Sequence, residues 1–297
     1  MDNSNLAVRM KEFYENVPKT NLMRRTPVVI RIDGKAFHTF TRGFKRPFDE
    51  VLIKTMQETT KYLCENIQGC VLGYTQSDEI SLILVDYQKF ETSAWFDYEV
   101  QKMCSIAASM ATMAFNKFFE RNIENFIQDC ATDYETQGLC GEGTAEFELC
   151  KTYQKALDKG AMFDARVFNI PKEEVTNYIY WRQLDASRNS IQMVGQANFN
   201  HKELHCKTCN NIQDMLMEQK GINWNDYPTV CKRGTAVIKK IIVREEKSFI
   251  DDMLEDSFDN VKNNIIKQTS KWIIDKDIPI FKGEGREYIE KLVMVGE

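Results

Sequence analysis

The 297-residue chain has no run approaching 18 uncharged apolar residues, so no segment reads as a membrane span. Its first ten residues hold no apolar stretch, and no secretory leader is expected. Only 6 prolines and 14 glycines are present, which excludes collagen-like and low-complexity chains. With 3 histidines and no Gly-x-Ser-x-Gly elbow, serine-hydrolase chemistry has little to draw on. A Walker-type glycine loop and a dinucleotide fingerprint are missing too. What is there is 43% hydrophobic and 28% charged, enough for a real core in one large domain or two small ones. Nine cysteines, an odd number, suit reduced thiols and a cytoplasmic setting.

A net charge of −5 does not suggest a nucleic-acid binder, but the charge is unevenly spread. Residues 9–48 carry ten Lys/Arg against Glu12, Glu15 and Asp33, and residues 228–247 carry six against Glu245 and Glu246. Such runs are either solvated faces or the makings of a basic patch. His201, His205, Cys206 and Cys209 have zinc-like spacings. All four fall within nine residues, too close together to close a tetrahedron readily.

Periodicity gives a strand ending at Asp33 and Gly34, then an amphipathic helix over 49–67 with Asp49 as its cap. Strands over 70–75 and 80–85 follow, joined by the polar turn Gln76-Ser-Asp-Glu79. A buried helix over 95–119 and a strand over 162–170 complete a βαββαβ order, the ferredoxin-like α+β motif. Further helices are expected over 172–199 and 208–219, and a last strand over 234–243. The glycine-bearing, acidic segment 122–150 reads as a surface loop. The division expected is a catalytic domain over 1–245 and a helical C-terminal extension over 246–297.

Right-handed crossover makes the first two strands parallel. The end of the first strand and the hairpin after the second then share one sheet edge, which brings Asp33 and Asp78 together. Two carboxylates beside Gly34 and Ser77 suit a hard cation such as Mg²⁺ and phosphoryl transfer. Lys35, His38, Lys45 and Arg46 are at hand for phosphate charge. The same residues are also ordinary turn chemistry.

Arg31-Ile-Asp-Gly-Lys-Ala-Phe-His38, Phe44-Lys-Arg-Pro47 and Gly73-Tyr-Thr-Gln-Ser-Asp-Glu79 closely resemble motifs of the tRNA-His guanylyltransferase family. Phe163-Asp-Ala-Arg166, Trp181-Arg-Gln183, His201-Lys-Glu-Leu204 and Lys232-Arg-Gly-Thr235 match it in the same order, over roughly 5–245. The resemblance implies a polymerase-palm core that adds nucleotides to the 5′ end of tRNA in the 3′-to-5′ direction. It implies two Mg²⁺ ions on Asp33, Asp78 and the Gly34 carbonyl, with Glu79 as a supporting catalytic acid. Lys35, Ala36, Phe37, His38, Arg46 and Ser77 then hold the nucleotide together with that group. Arg46 stands where relatives often have Lys. ATP and GTP or other NTPs are the implied co-substrates, and a homotetramer the implied assembly. Surplus apolar residues on the 95–119 and 172–199 helices fit such an assembly.

One departure points to a branch. Asp185-Ala-Ser-Arg-Asn-Ser190 contains no histidine where eukaryotic guanylyltransferases have a His-Ile-Asn-Asn-type motif. That is similar to the guanylyltransferase-like branch, which resembles template-dependent tRNA 5′-end repair enzymes. Arg182, Arg188, Asn189 and Lys202 are the candidate RNA contacts. A nucleotide cyclase or cyclic-dinucleotide synthase on the same palm, and a non-catalytic RNA-binding module, are the competing readings.

Overall fold

The alternation in Val28-Val-Ile-Arg-Ile-Asp-Gly34 sends Val28, Ile30 and Ile32 to one face and Val29, Arg31 and Asp33 to the other. Each set needs its own cover, and the chain supplies helices on both sides. The computed structural model describes residues 4–137, 143–246 and 265–295. In order these form α1 (Asn5–Met10), β1 (Val28–Gly34), α2 (Phe37–Phe40), α3 (Glu50–Asn66), β2 (Cys70–Gln76) and β3 (Glu79–Leu84). Next come α4 (Val100–Gln137), α5 (Ala145–Lys159), β4 (Phe163–Asn169), α6 (Lys172–Asn198), α7 (His201–Leu204) and α8 (Cys209–Lys220). The chain closes with α9 (Thr229–Arg233), β5 (Thr235–Glu246), β6 (Ile265–Asp275) and α10 (Glu287–Val293).

The sheet order is β4-β1-β3-β2-β5-β6, with every pair antiparallel. Its first four strands are the ferredoxin-like arrangement expected from the sequence. On one face Val28, Ile30, Ile32, Ile80, Leu82 and Leu84 pack under α3 and α4. Ala107 and Ala111 of α4 are fully buried there, where their small size brings the helix close. On the other face Val29, Leu72, Tyr74 and Ile83 pack under α6 and the C-terminal residues Ile278, Phe281, Ile289 and Val293. Asp49 caps α3 as expected, its carboxylate accepting from the Leu52 amide at 2.9 Å.

Two expectations are corrected. The loop over 122–150 is largely helical: α4 runs on to Gln137, and α5 begins at Ala145. Ile123 and Phe126, three apart, carry the apolar stripe of α4 onward to meet Tyr153 of α5. The glycines that suggested a loop are confined to 138–143, and 138–142 lie outside the described residues. The extension over 246–297 is not helical throughout. Ile265–Asp275 is a strand paired with β5 along its length, and only a short helix, α10, follows. Its apolar residues cluster at both ends of the strand instead of alternating, so periodicity misses it. Residues 247–264 of that extension lie outside the described residues. No helix among the described residues is long and apolar enough to cross a membrane.

Candidate active site

The β2–β3 hairpin closes through Ser77 and Asp78 alone, and Ser77 takes a left-handed φ of 50° to make the turn. The Gly34 amide donates to the Asp78 carbonyl at 3.1 Å, which ties the end of β1 to that turn. Asp33 and Asp78 therefore share one edge, as topology predicts. Burial raises the Asp78 carboxyl above the usual carboxylate range, and the Asp33 charge pushes it the same way. Ser77 Oγ donates to it at 3.1 Å. Among the described residues neither Asp33 nor Asp78 is in an ion pair. Two neighbouring carboxylates, neither in an ion pair among the described residues, fit an oxygen-liganded divalent cation.

Gly34 has no room for a side chain: an added Cβ would lie 2.2 Å from a Phe37 ring carbon. Phe37 cannot yield, because its ring packs against Phe40, Phe115 and Phe163 at centroid distances of 5.0–5.4 Å. Ala36 takes the left-handed conformation (φ 54°) that starts α2, and the Lys35 amide is held by the Met162 carbonyl at 2.8 Å. The 35–38 turn is thus fixed on both sides.

Beside this edge opens a cleft of about 570 Å³. Of the expected nucleotide residues, Gly34, Ala36, Phe37, His38, Arg46, Ser77 and Asp78 line it. Asp33 and Lys35 are not on its wall. Arg42, Lys45, Arg46 and His38 line it along with Asp78. The other lining acid, Asp49, is already engaged by the amides of Lys45 and Leu52 and by the Tyr153 hydroxyl. Sequence reasoning missed Thr41, Arg42, Met193 and Gln196. Arg42 was visible in the basic run, whereas Met193 and Gln196 arrive on α6 from 150 residues away and leave no local signal.

Glu79 lies directly across from Asp33 in the β1–β3 register, and Asp164 lies across from Asp33 on β4. Asp164 pairs with Arg166 at 3.3 Å. Glu79, expected as a supporting acid beside the metal site, is buried there in an ion-pair network. Arg31 Nη2 donates to its Oε2 at 2.6 Å, and Arg182 Nε stands 3.2 Å from Oε1 off the hydrogen-bond direction. Burial still raises its carboxyl, with Arg182 and Arg31 pulling back.

Arg182 corrects an expectation. It is only 3% exposed, it also holds Asp185 at 2.6 Å, and its guanidinium lies 3.9 Å from the Trp181 ring centre. A guanidinium committed this way has no free surface for RNA. The reason is the side of α6 on which it falls, which packs over Glu79. The other three RNA candidates remain accessible in part. Arg188 is exposed and pairs with Asp185, Lys202 is exposed on α7, and Asn189 lines a cavity of about 80 Å³ behind Ser77. The basic run over 9–48 divides likewise: Arg24 pairs with Asp86 and Arg31 with Glu79, while Arg42, Lys45 and Arg46 face the cleft. His201, His205, Cys206 and Cys209 form no metal-holding group; none of three or more His, Cys, Asp or Glu exists among the described residues.

The family model described as tRNAHis guanylyltransferase (Thg1) matches residues 7–171. A bacterial tRNA-His guanylyltransferase-like protein solved with ATP is 38% identical, with a TM-score of 0.70 over 97% of this chain and 98% of that one. A structure so described with GTP is 35% identical, with a TM-score of 0.70 over 98% of this chain and 100% of that one. A probable tRNA-His guanylyltransferase of Drosophila melanogaster is 25% identical over 234 residues, 74% of this chain and 70% of that protein. The chain belongs to the tRNA-His guanylyltransferase (Thg1) family.

Proposed function

We propose that this protein adds nucleotides to the 5′ end of tRNA, in the 3′-to-5′ direction, from the cleft beside Asp33 and Asp78. The observation that carries the reading is Asp78 on the wall of a cleft that Arg42, Lys45 and Arg46 also line, with Asp33 at the same end of the sheet and neither carboxylate in an ion pair among the described residues. A cyclase on the same palm has no use for the RNA-family motifs that surround the pair.

Asp33, Asp78 and the Gly34 carbonyl would hold two Mg²⁺ ions. Bound there, Mg²⁺ would supply positive charge to the phosphoryl oxygens and the leaving group of both transfers. His38, Arg42, Lys45 and Arg46 neutralise and orient a triphosphate. The rigid 35–38 turn sets the depth at which the nucleotide sits. ATP activates a 5′-monophosphate on the RNA, with pyrophosphate leaving. The 3′-hydroxyl of an incoming NTP then attacks that phosphate and AMP leaves. Arg188, Asn189 and Lys202 steady the RNA backbone. Nine thiols in an odd count suit a reducing compartment, and we place the activity in the cytoplasm.

Templated repair is the branch we favour. Residues 185–190 supply no histidine-bearing motif to position an untemplated guanylate, so base pairing must do so. Two substrates test this: a tRNA-His lacking its first paired 5′ nucleotide, and the full-length tRNA awaiting a guanylate opposite adenosine. The truncated substrate is expected to have the higher kcat/KM. A ratio favouring the full-length one removes the repair reading and leaves guanylate addition.

We also propose a tetramer. Ile106 and Met113, seven apart on α4, and Trp181 and Leu184 on α6 expose apolar surface of the kind that association covers. Sedimentation at micromolar concentration is expected to give four copies; a monomer contradicts the proposal.

A further inference from the structure

Cys64 lies in the last turn of α3 and is only 2% exposed. It packs so closely on the sheet that a Cβ added at Gly73 would stand 2.5 Å from its sulfur. Cys70 opens β2 and is half-buried. Strict alternation would put Cys70 on the face of Leu72 and Tyr74, away from α3. The pairing of β2 with β3 slips between Cys70 and Leu72, however, and changes that. Cys70 lies across from Leu84, whereas Leu72 lies across from Ile83 and Gly73 from Leu82. Leu82 and Leu84 belong to the core under α3, and Ile83 to the core on the other face. The bulge therefore turns Cys70 to the α3 side, where it packs against the cluster that holds Cys64. The link between the two is fixed by backbone bonds. The Ile67 amide donates to the Leu63 carbonyl at 2.9 Å, and the Cys70 amide to the Ile67 carbonyl at 3.2 Å. The Val85 amide holds the Gly69 carbonyl at 2.8 Å. Burial raises the Cys64 thiol well above its ordinary range, and the Cys70 thiol is near enough to push it the same way. Neither cysteine lines the nucleotide cleft.

We propose that Cys64 and Cys70 are a dithiol site which a small-molecule disulfide converts reversibly into an intramolecular disulfide, stapling the end of α3 to the start of β2. Cys70 is the more accessible thiol. It loses its proton to solvent and attacks one sulfur of the reagent, forming a mixed disulfide and releasing one thiolate. Cys64 then loses its proton and attacks Cys70 Sγ, which expels the second thiolate. Two electrons pass from the protein to the reagent, and the two released thiolates take up the two protons. A thiol kept neutral by burial attacks slowly, so the second step is the slower one. Oxidation gives up the hydrogen bond from Cys70 Sγ to the Leu72 carbonyl, which at 3.6 Å is a weak one. Closing the 64–70 loop restricts the unfolded chain, so the oxidised form is the more stable. At their other ends α3 and β2 bring Asp49 and Gln76 together behind Ser77. The staple thus fixes α3, from the end away from the cleft, on the strand whose hairpin holds Asp78.

The test uses the full chain beside two variants, Cys70→Ser and Cys64→Ala. Serine keeps a donor for the Leu72 carbonyl, so Cys70→Ser is expected to fold even if Cys64→Ala, which empties a packed site, does not. Each reduced protein is exposed to oxidised glutathione, its remaining thiols are blocked with N-ethylmaleimide, and the digest is read by mass spectrometry. The wild type is expected to yield peptides joined through Cys64 and Cys70, which dithiothreitol separates. Cys64→Ala is expected to stop at a glutathione adduct on Cys70. The thermal midpoint of the oxidised wild type is expected to exceed that of the reduced protein, and dithiothreitol to abolish the difference. Cys70→Ser is expected to show no such rise. A wild type that accumulates the Cys70 adduct while Cys64 stays free overturns the proposal, as does pairing of either residue with another cysteine. A midpoint that falls on oxidation, or rises equally in Cys70→Ser, overturns the staple.

Discussion

Asp33→Ala and Asp78→Ala are each expected to lower nucleotide addition by at least about 10³-fold, a barrier increase of about 4 kcal/mol. Asp33 near the end of β1 and Asp78 in the two-residue hairpin lie at the same end of the sheet, close enough for the Asp33 charge to act on Asp78. Neither is in an ion pair among the described residues. Their charges repel, which costs the folded state something, and the proposed cation would offset that cost. Losing one carboxylate would remove a proposed ligand while relieving the repulsion. The thermal midpoint of either variant is therefore expected to equal or exceed that of the wild type without metal. Added Mg²⁺ is expected to raise the wild-type midpoint and to raise the variants' less. Near-normal turnover in either variant means the reaction centre lies elsewhere.

Arg182→Met is expected to be costly in a different way. Arg182 sits between Glu79 and Asp185, and all three belong to the α6 side of the sheet. Removing one partner of a buried ion pair leaves its counterpart uncompensated, typically at about 3–5 kcal/mol. Arg31 still holds Glu79 Oε2, so the lower end of that range is expected here. Urea unfolding would show a reduced midpoint at an unchanged slope. Glu79→Gln/Arg182→Met is expected to recover part of the loss, because no lone charge then remains. The same variant separates two roles for this arginine. A stability loss marks a structural cation under the acidic edge, whereas a normal midpoint with weakened RNA binding would restore it to the RNA surface.

The acidic edge was legible because it follows from connectivity. A crossover and a tight hairpin must bring Asp33 and Asp78 together, whatever the side chains between them do. The cap at Asp49 and the turn at Ser77 were legible for a similar reason, since both depend on residues within four positions. The burial of Arg182 was not. Which side of α6 faces Glu79 is decided by Val175, Tyr178 and Ile179 packing against the sheet, a tertiary choice. The helical character of 122–137 was masked by the acids and glycines that follow it. The strand Ile265–Asp275 was hidden because its Lys, Gln, Thr and Ser residues break the alternation that marks a half-buried strand.

The most direct test of the account is incorporation of radiolabelled GTP into a tRNA that lacks its first 5′ nucleotide and pairs there with cytidine. The reaction contains ATP and Mg²⁺ and is resolved on a denaturing gel beside an Asp78→Ala control. A labelled tRNA one nucleotide longer is expected, with the phosphate label of the GTP on its new 5′ triphosphate and therefore removed by phosphatase, and no such product in the control. Label recovered only in a small cyclic product, or equal incorporation by Asp78→Ala, would contradict it.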